Sequence, residues 1–187
     1  MSDFDFDFEI SFDVDEEEEI VKPKNDGPIK VTHRYGNRHE FRKATSEFAL
    51  SEQMNWHFND GDCYHCFSFG DVDSFTFVKH VLRQQRIKYL GVSTWCMAGA
   101  DVDEMRKHYD CGNIGRVDFY VGEIFRGSYP EVYDAVRDFV SDQKSRLVVF
   151  RNHSKIMMIK GEKFDCLIES SANVNTNPRS ENTVLTV

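Results

Sequence analysis

Segments typical of β-strands and α-helices alternate along the chain from Tyr64 onward, and this order constrains the fold more than any other feature. Four short apolar stretches read as strands: YHCFSFG, IKYLGVSTW, RVDFYVG and RLVVF. Between them, SFTFVKHVLRQQ and SYPEVYDAVRDFVSDQK place apolar residues at helical spacing, and DVDEMRKHY fits a short polar helix. Repeated units of this kind predict an α/β sheet.

The C-terminal part changes the prediction from a parallel to a mixed sheet. HSKIMMI, FDCLIE and NTVLTV follow as strands with little room for helices between them. Met157 and Met158 are expected in the core. In the last helix, Ser128 stands three residues before Glu131, and Pro130 lies in the first turn, which predicts a capping box.

The N-terminal part of the chain differs sharply in charge from the rest. Residues 1–20 hold ten acidic residues and no Lys or Arg, whereas the remainder holds 22 acidic and 23 basic residues. Acidic and apolar residues alternate there, which favours a disordered acidic tail with linker at 1–28 over a strand. We therefore predict this tail, an N-terminal extension at 29–60 and a single catalytic domain at 61–187.

Cysteine usage and hydropathy bear on the setting of the protein. Five cysteines without regular spacing argue against a disulfide framework, and the sequence has no apolar run long enough to cross a bilayer. A cytoplasmic location without membrane association is the expectation. Two pairs of residues have zinc-ligand spacing: Cys63 with Cys66, and His108 with Cys111. We prefer to interpret the cysteines as buried free thiols and not as parts of a four-ligand zinc site.

The stretch RNHSKIMMIKGEKFD places a histidine and a lysine two residues apart before an apolar run. In a strand, His153 and Lys155 would share one face. An imidazole can attack phosphorus or transfer a proton near neutral pH, and an ammonium beside it neutralises phosphate oxygens. The simpler interpretation of His153 alone is a hydrogen-bonded strand histidine.

A second group of polar residues follows the next strand. Ser171 and Asn173 lie in a polar loop that can bind an anion through its hydroxyl, amide and backbone N–H groups. Glu181 stands just before the last strand, where a carboxylate can accept the second ring proton of a histidine. These residues strengthen the catalytic interpretation of His153.

Together these residues resemble the phospholipase D superfamily, whose members carry His-x-Lys, then Gly-Ser-x-Asn, then a Glu. The closing RSENTVL resembles the small single-motif nucleases of that superfamily. The resemblance implies a phospholipase D-like mixed β-sheet flanked by helices. The matching positions are His153, Lys155, Ser170, Ser171, Asn173 and Glu181.

Two positions depart from the motif of the superfamily. Lys160 replaces the Asp that follows His-x-Lys, and Ser170 replaces the usual Gly. Lys160 is an odd number of residues past His153, so in a regular strand it points away from the catalytic face. Asp165 can fill the vacant place only if the strand pair is shifted. The motif residues that act on phosphate are all present.

The resemblance implies a two-histidine reaction shared by two protomers, because the chain carries one copy of the motif. One His153 attacks phosphorus, and the other protonates the leaving oxygen. Lys155 and Asn173 hold the non-bridging oxygens, Glu181 orients its histidine, and Ser170, Ser171 and Arg126 contact substrate. Arg126 is placed in a loop, where a solvated arginine is the simpler interpretation. No metal or other cofactor is required.

Three functions remain open on the sequence. The first is a homodimeric endonuclease, a phosphodiesterase acting on nucleic acid, DNA ahead of RNA, with phospholipid as a less favoured substrate. The second is a catalytically weakened accessory protein that binds nucleic acid, with Lys160 marking the loss. The third is an interaction module whose acidic tail binds a protein partner. In the enzyme, the same tail could instead cover the basic groove.

Overall fold

Seven strands form a single sheet in the computed structural model, which describes residues 46–48, 50–54, 57–69, 72–175 and 179–187. The predicted tail at 1–28 lies outside the described residues, as do residues 29–45, 49, 55 and 56 of the predicted extension. The strands are β1 (Cys63–Ser68), β2 (Ile87–Thr94), β3 (Val117–Gly122), β4 (Arg146–Phe150), β5 (Ile156–Gly161), β6 (Asp165–Ser170) and β7 (Glu181–Thr186).

Helices connect the first four strands, as the sequence predicts. They are α1 (Ser74–Leu82), α2 (Gly99–Asp110), the single turn α3 (Phe125–Ser128) and α4 (Pro130–Phe139), which a 3₁₀ turn extends over Val140–Asp142. Residues 46–48 and 50–53 are also helical. No helix in the described ranges has both the length and the apolar character needed to cross a membrane.

The start of α4 differs from the predicted capping box. Ser128 ends α3, and Tyr129 is the N-cap of α4 with no side-chain cap hydrogen bond. Pro130 does occupy the first turn, as predicted. The capping-box prediction is wrong because Ser128 is the last residue of an additional helical turn, α3. Tyr129 alone separates this turn from Pro130, so Tyr129 takes the N-cap position.

The sheet is mixed and runs in the order β1-β7-β6-β5-β2-β3-β4. Strands β2, β3 and β4 are parallel neighbours, and β5, β6 and β7 form an antiparallel meander between β2 and β1. Therefore β1 and β6 run in the same direction as β2, whereas β5 and β7 run in the opposite direction. This confirms the predicted mixed sheet.

The core lies on one face of the sheet. Along β5, Met157 and Ile159 are buried, while Met158 on the other face is 37% exposed. The buried face contacts the helices, and Phe119 of β3 and Phe139 of α4 meet edge to face with ring centroids 5.2 Å apart. The expectation that Met158 belongs to the core is wrong, because the two-residue period of the strand turns it outward.

The connections bring many loops to one end of the sheet. Strands β2, β3, β4 and β6 end there, and the antiparallel strands β5 and β7 begin there. We call this end the carboxyl edge. In open α/β sheets, ligands bind outside the carboxyl ends of the strands, because the loops there leave polar groups free to contact them.

Candidate active site

All the predicted catalytic residues lie at the carboxyl edge. His153 and Lys155 precede β5, Asn173 follows β6, and Glu181 is the first residue of β7. The placement of His153 and Lys155 inside a strand is wrong, since β5 begins only at Ile156. Their proximity therefore depends on the conformation of a loop and not on strand periodicity.

His153 and Lys155 are in direct contact despite the loop. The Lys155 Nζ lies 3.2 Å from the His153 Nδ1 and donates to the His153 carbonyl oxygen at 2.8 Å. His153 is exposed and Lys155 is half-buried. An imidazole with a cation at one ring nitrogen and open access for a substrate is suited to act on an anionic phosphodiester.

Asn152 fixes the loop that carries His153. Its Nδ2 donates to the Ser93 Oγ at 3.0 Å and to the Tyr120 carbonyl at 2.9 Å, and its Oδ1 accepts from the Ser154 N–H at 2.9 Å and from the Ser154 Oγ at 2.7 Å. Asn152 is buried, with 9% of its surface exposed. One amide thus ties the residues before and after His153 to β2 and β3.

Glu181 contacts the serine of the loop after β6. The Ser171 Oγ donates to the Glu181 Oε2 and accepts from the Asn182 N–H at 2.9 Å. The structure thus brings together two pairs, His153 with Lys155 and Ser171 with Glu181, at the same edge of the sheet.

Ser170 and Asn173 hold the loop after β6 in place. The Ser170 Oγ accepts from the Ala172 N–H at 3.1 Å, and its backbone N–H donates to the Lys155 carbonyl at 2.9 Å. The Asn173 Oδ1 accepts from the Thr94 Oγ1 at 3.3 Å. Ser170, the residue that replaces glycine, has no positive φ, so serine is unstrained at this position.

Lys155 also acts on the segment that follows β2. Burial raises the pKa of the Cys96 thiol, while the Tyr129 hydroxyl and the charge of Lys155 oppose that rise. The ammonium of Lys155 therefore favours the thiolate of Cys96, two residues past the end of β2.

Two residues that the sequence did not single out belong to this site. Asn152 is one, and Trp95 is the other, with its ring centroid 5.4 Å from that of His153. Trp95 directly follows β2. Its place after a predicted buried strand could have marked it as a site residue, because ligands bind at the carboxyl ends of parallel strands. Arg126 lies on α3 and not in a loop, and it is exposed.

Lys160 lies far from the catalytic group. It is exposed near the opposite end of β5, five residues past Lys155, which corresponds to about 16 Å along a strand. It is paired directly with Asp165 on β6. The register is therefore unshifted at this point, and Asp165 does not replace the missing acid in the active site.

This placement gives a prediction for Lys160→Asp. We expect the cleavage rate to stay within about twofold of wild type, and the free energy of unfolding to fall by up to about 1 kcal/mol, because like charges would face each other across the strands. Oligonucleotide cleavage and urea unfolding measure the two effects, with Lys160→Gln as the control that adds no charge. A gain in rate of tenfold or more would place position 160 in the catalytic machinery.

The residues with zinc-ligand spacing lie on separate elements. Cys63 and Cys66 are on β1, His108 is on α2, and Cys111 is its C-cap. Within the described ranges, no three His, Cys, Asp or Glu side chains are grouped to hold a metal ion. All five cysteines are free thiols, as preferred, and Cys96 and Cys166 are buried. The expected burial is wrong for Cys63 and Cys111, which are exposed because Cys63 lies on the edge strand β1 and Cys111 ends α2.

Solved structures share the fold of this chain. Phosphatidylserine synthase from Haemophilus influenzae Rd KW20 matches with a TM-score of 0.51 and 12% identity over 66% of this chain and 34% of that chain. Polyphosphate kinase from Porphyromonas gingivalis matches with a TM-score of 0.50 and 13% identity over 67% of this chain and 23% of that chain. No family model and no curated protein matches the sequence.

These likenesses concern the fold alone, and they confirm the predicted fold class, a phospholipase D-like mixed sheet with flanking helices. The chain spans about a quarter to a third of the length of these two solved structures. Similarity at this level assigns no chemistry, so function has to be inferred from the residues at the carboxyl edge.

Proposed function

From the phospholipase D-like fold and the groups at its carboxyl edge, we propose that the protein is a metal-independent phosphodiesterase that cleaves nucleic acid. The observation that carries the proposal is the contact between the His153 imidazole and the Lys155 ammonium, at 3.2 Å, on an exposed loop clamped by Asn152. Fixed geometry of this kind lowers the barrier by holding the reacting group in place.

In the proposed reaction, the imidazole of one His153 attacks phosphorus and the bond to the leaving oxygen breaks. The leaving oxygen takes a proton from the His153 of a second copy, and this second imidazole then accepts a proton from the water that hydrolyses the phosphohistidine. Lys155 and Asn173 from both copies stabilise the charge on the non-bridging oxygens. Lysine thus supplies the positive charge that the reaction requires.

The protonation state of the histidine decides which role it can take. A neutral ring whose Nδ1 accepts from the Lys155 Nζ carries its single proton on Nε2, so it neither attacks through Nε2 nor acts as the general acid. The general acid is the imidazolium form, in which both ring nitrogens carry a proton and Lys155 keeps only its hydrogen bond to the His153 carbonyl; it becomes the neutral base once the leaving oxygen is protonated. Attack through Nε2 requires the proton on Nδ1, held by an acceptor such as Glu181. In this proposal Glu181 exchanges its contact with Ser171 for one with His153 when the nucleophile is formed.

The test is cleavage by the wild-type protein in excess EDTA. We expect at least one of three substrates to be cleaved: supercoiled plasmid, single-stranded DNA or RNA. Sedimentation should show a homodimer under the same conditions, because each proposed reaction needs two copies of His153. If a folded dimer cleaves none of the three substrates but binds them, the catalytically weakened accessory protein becomes the better description.

A further inference from the structure

A small cavity adjoins His153 at the carboxyl edge. Its volume is about 210 Å³, below the roughly 300 to 1,000 Å³ of pockets for drug-sized molecules, so it suits a single ring system. Three parallel strands end around it, since its lining follows β2, β3 and β4 directly. The lining residues are Trp95, Glu123, Ile124, Arg151, Asn152 and His153.

The indole of Trp95 is held in this cavity by the shape of the neighbouring strand. A Cβ atom at Gly122 would lie 2.7 Å from the Trp95 Cδ1 and 3.0 Å from the Asn152 carbonyl oxygen, so only glycine leaves room for the ring. The planes of the Trp95 and His153 rings are inclined by 55°. Trp95 is half-buried against Gly122, and its ring lies beside the proposed nucleophile.

The rim of the cavity carries a cation. The side chain of Arg151 is 93% exposed, and its Nε lies 3.9 Å from the Glu123 Oε1, too far for a strong ion pair. A guanidinium in this position attracts the phosphate next along a nucleic-acid strand.

We propose that this cavity binds the nucleobase adjacent to the scissile phosphate, with the base stacked on Trp95. The inference rests on the proposed function, and it narrows the substrate class. A base reaches a cavity at the sheet edge only when it is unpaired, so the substrate is single-stranded nucleic acid or a frayed or flipped nucleotide. Arg151 contacts the neighbouring phosphate of the same strand.

The test compares two ligands that differ only in the base. Thymidine 5′-monophosphate and deoxyribose 5-phosphate are titrated into the wild-type protein by calorimetry. We expect the nucleotide to bind about tenfold more tightly, the size of one base–aromatic stacking contact. In a Trp56→Phe chain, which keeps Trp95 as its sole tryptophan, the nucleotide should quench the emission and the sugar phosphate should not.

Variants of Trp95 test whether its ring causes the preference for the nucleotide over the sugar phosphate. Trp95→Leu should bind the two ligands equally, and Trp95→Phe should keep part of the preference because it keeps an aromatic surface. Equal binding of the two ligands by the wild type, or a preference that Trp95→Leu leaves unchanged, would overturn the inference. Saturable quenching by phosphocholine would overturn it as well, in favour of a lipid headgroup.

The two proposals can fail separately in these experiments. Binding of the nucleotide requires no turnover. If the protein prefers the nucleotide to the sugar phosphate but cleaves no substrate, the proposed reaction is contradicted and the base site is supported. Conversely, cleavage in EDTA by a protein that binds both ligands equally would keep the reaction and remove the base site.

Discussion

Replacing His153 with alanine is expected to lower the cleavage rate by at least about 10⁴-fold, because the variant lacks both the proposed nucleophile and the proposed general acid. The side chain is exposed, so the free energy of unfolding should change by less than about 0.5 kcal/mol. Single-turnover cleavage of a labelled oligonucleotide measures the first effect, and urea unfolding measures the second.

The matched control for this substitution is His65→Ala. His65 is also exposed, but it lies on β1 at the edge of the sheet, with its Nε2 3.6 Å from the Cys63 Sγ. Its replacement should leave the cleavage rate within about twofold of wild type. If His153→Ala retains more than about a tenth of the wild-type rate, the histidine is not the nucleophile, and cleavage must be assigned to another group or to a contaminant.

Replacing Asn152 with alanine is expected to lower the free energy of unfolding by about 2 to 4 kcal/mol. The substitution removes the buried hydrogen bond to the Ser93 Oγ and leaves the part-buried Tyr120 carbonyl and Ser154 N–H without this partner, and each unsatisfied group costs about 1 to 3 kcal/mol when buried. Cleavage should also fall by about 10²-fold, because His153 loses the clamp that positions it. Unfolding in urea and single-turnover rates at a temperature where the variant is folded measure the two effects.

Asn113→Ala provides the matched control for the clamp. Asn113 is exposed and makes a long contact of 3.4 Å from its Nδ2 to the His108 Nδ1, so its loss should cost less than about 0.5 kcal/mol. A change in stability at Asn152 as small as that at Asn113 would mean that the amide does not secure the loop. A normal cleavage rate in folded Asn152→Ala would show that His153 is positioned by other contacts.

The sequence predicted the elements more accurately than the contacts. The strand expected over IKYLGVSTW is β2, Ile87–Thr94, and the two segments with apolar residues at helical spacing are α1 and α4. Their apolar residues Val78, Val136 and Phe139 are fully buried. Periodicity is a local property, so it can be read from neighbouring residues. The capping box failed because two short helices meet where the sequence suggested one.

Within the site, the sequence identified the residues with chemical function but not the ones that hold them. His153 and Lys155 were found from their spacing, and Ser171 and Glu181 from their order. Asn152 and Trp95 were missed because their partners are distant in the chain. The hydrogen bond from Asn152 to Ser93 spans 59 positions, and no local pattern indicates such a contact.

The sequence by itself determined the alternation of strands and helices, the mixed sheet and the set of groups able to act on phosphate. These depend on side-chain periodicity and residue type, which are written along the chain. The tertiary structure decided that these groups meet at one edge, that Lys160 lies well away from them, and that Asn152 and Trp95 flank the histidine. Those outcomes depend on strand order and direction, which bring together residues that the sequence keeps far apart.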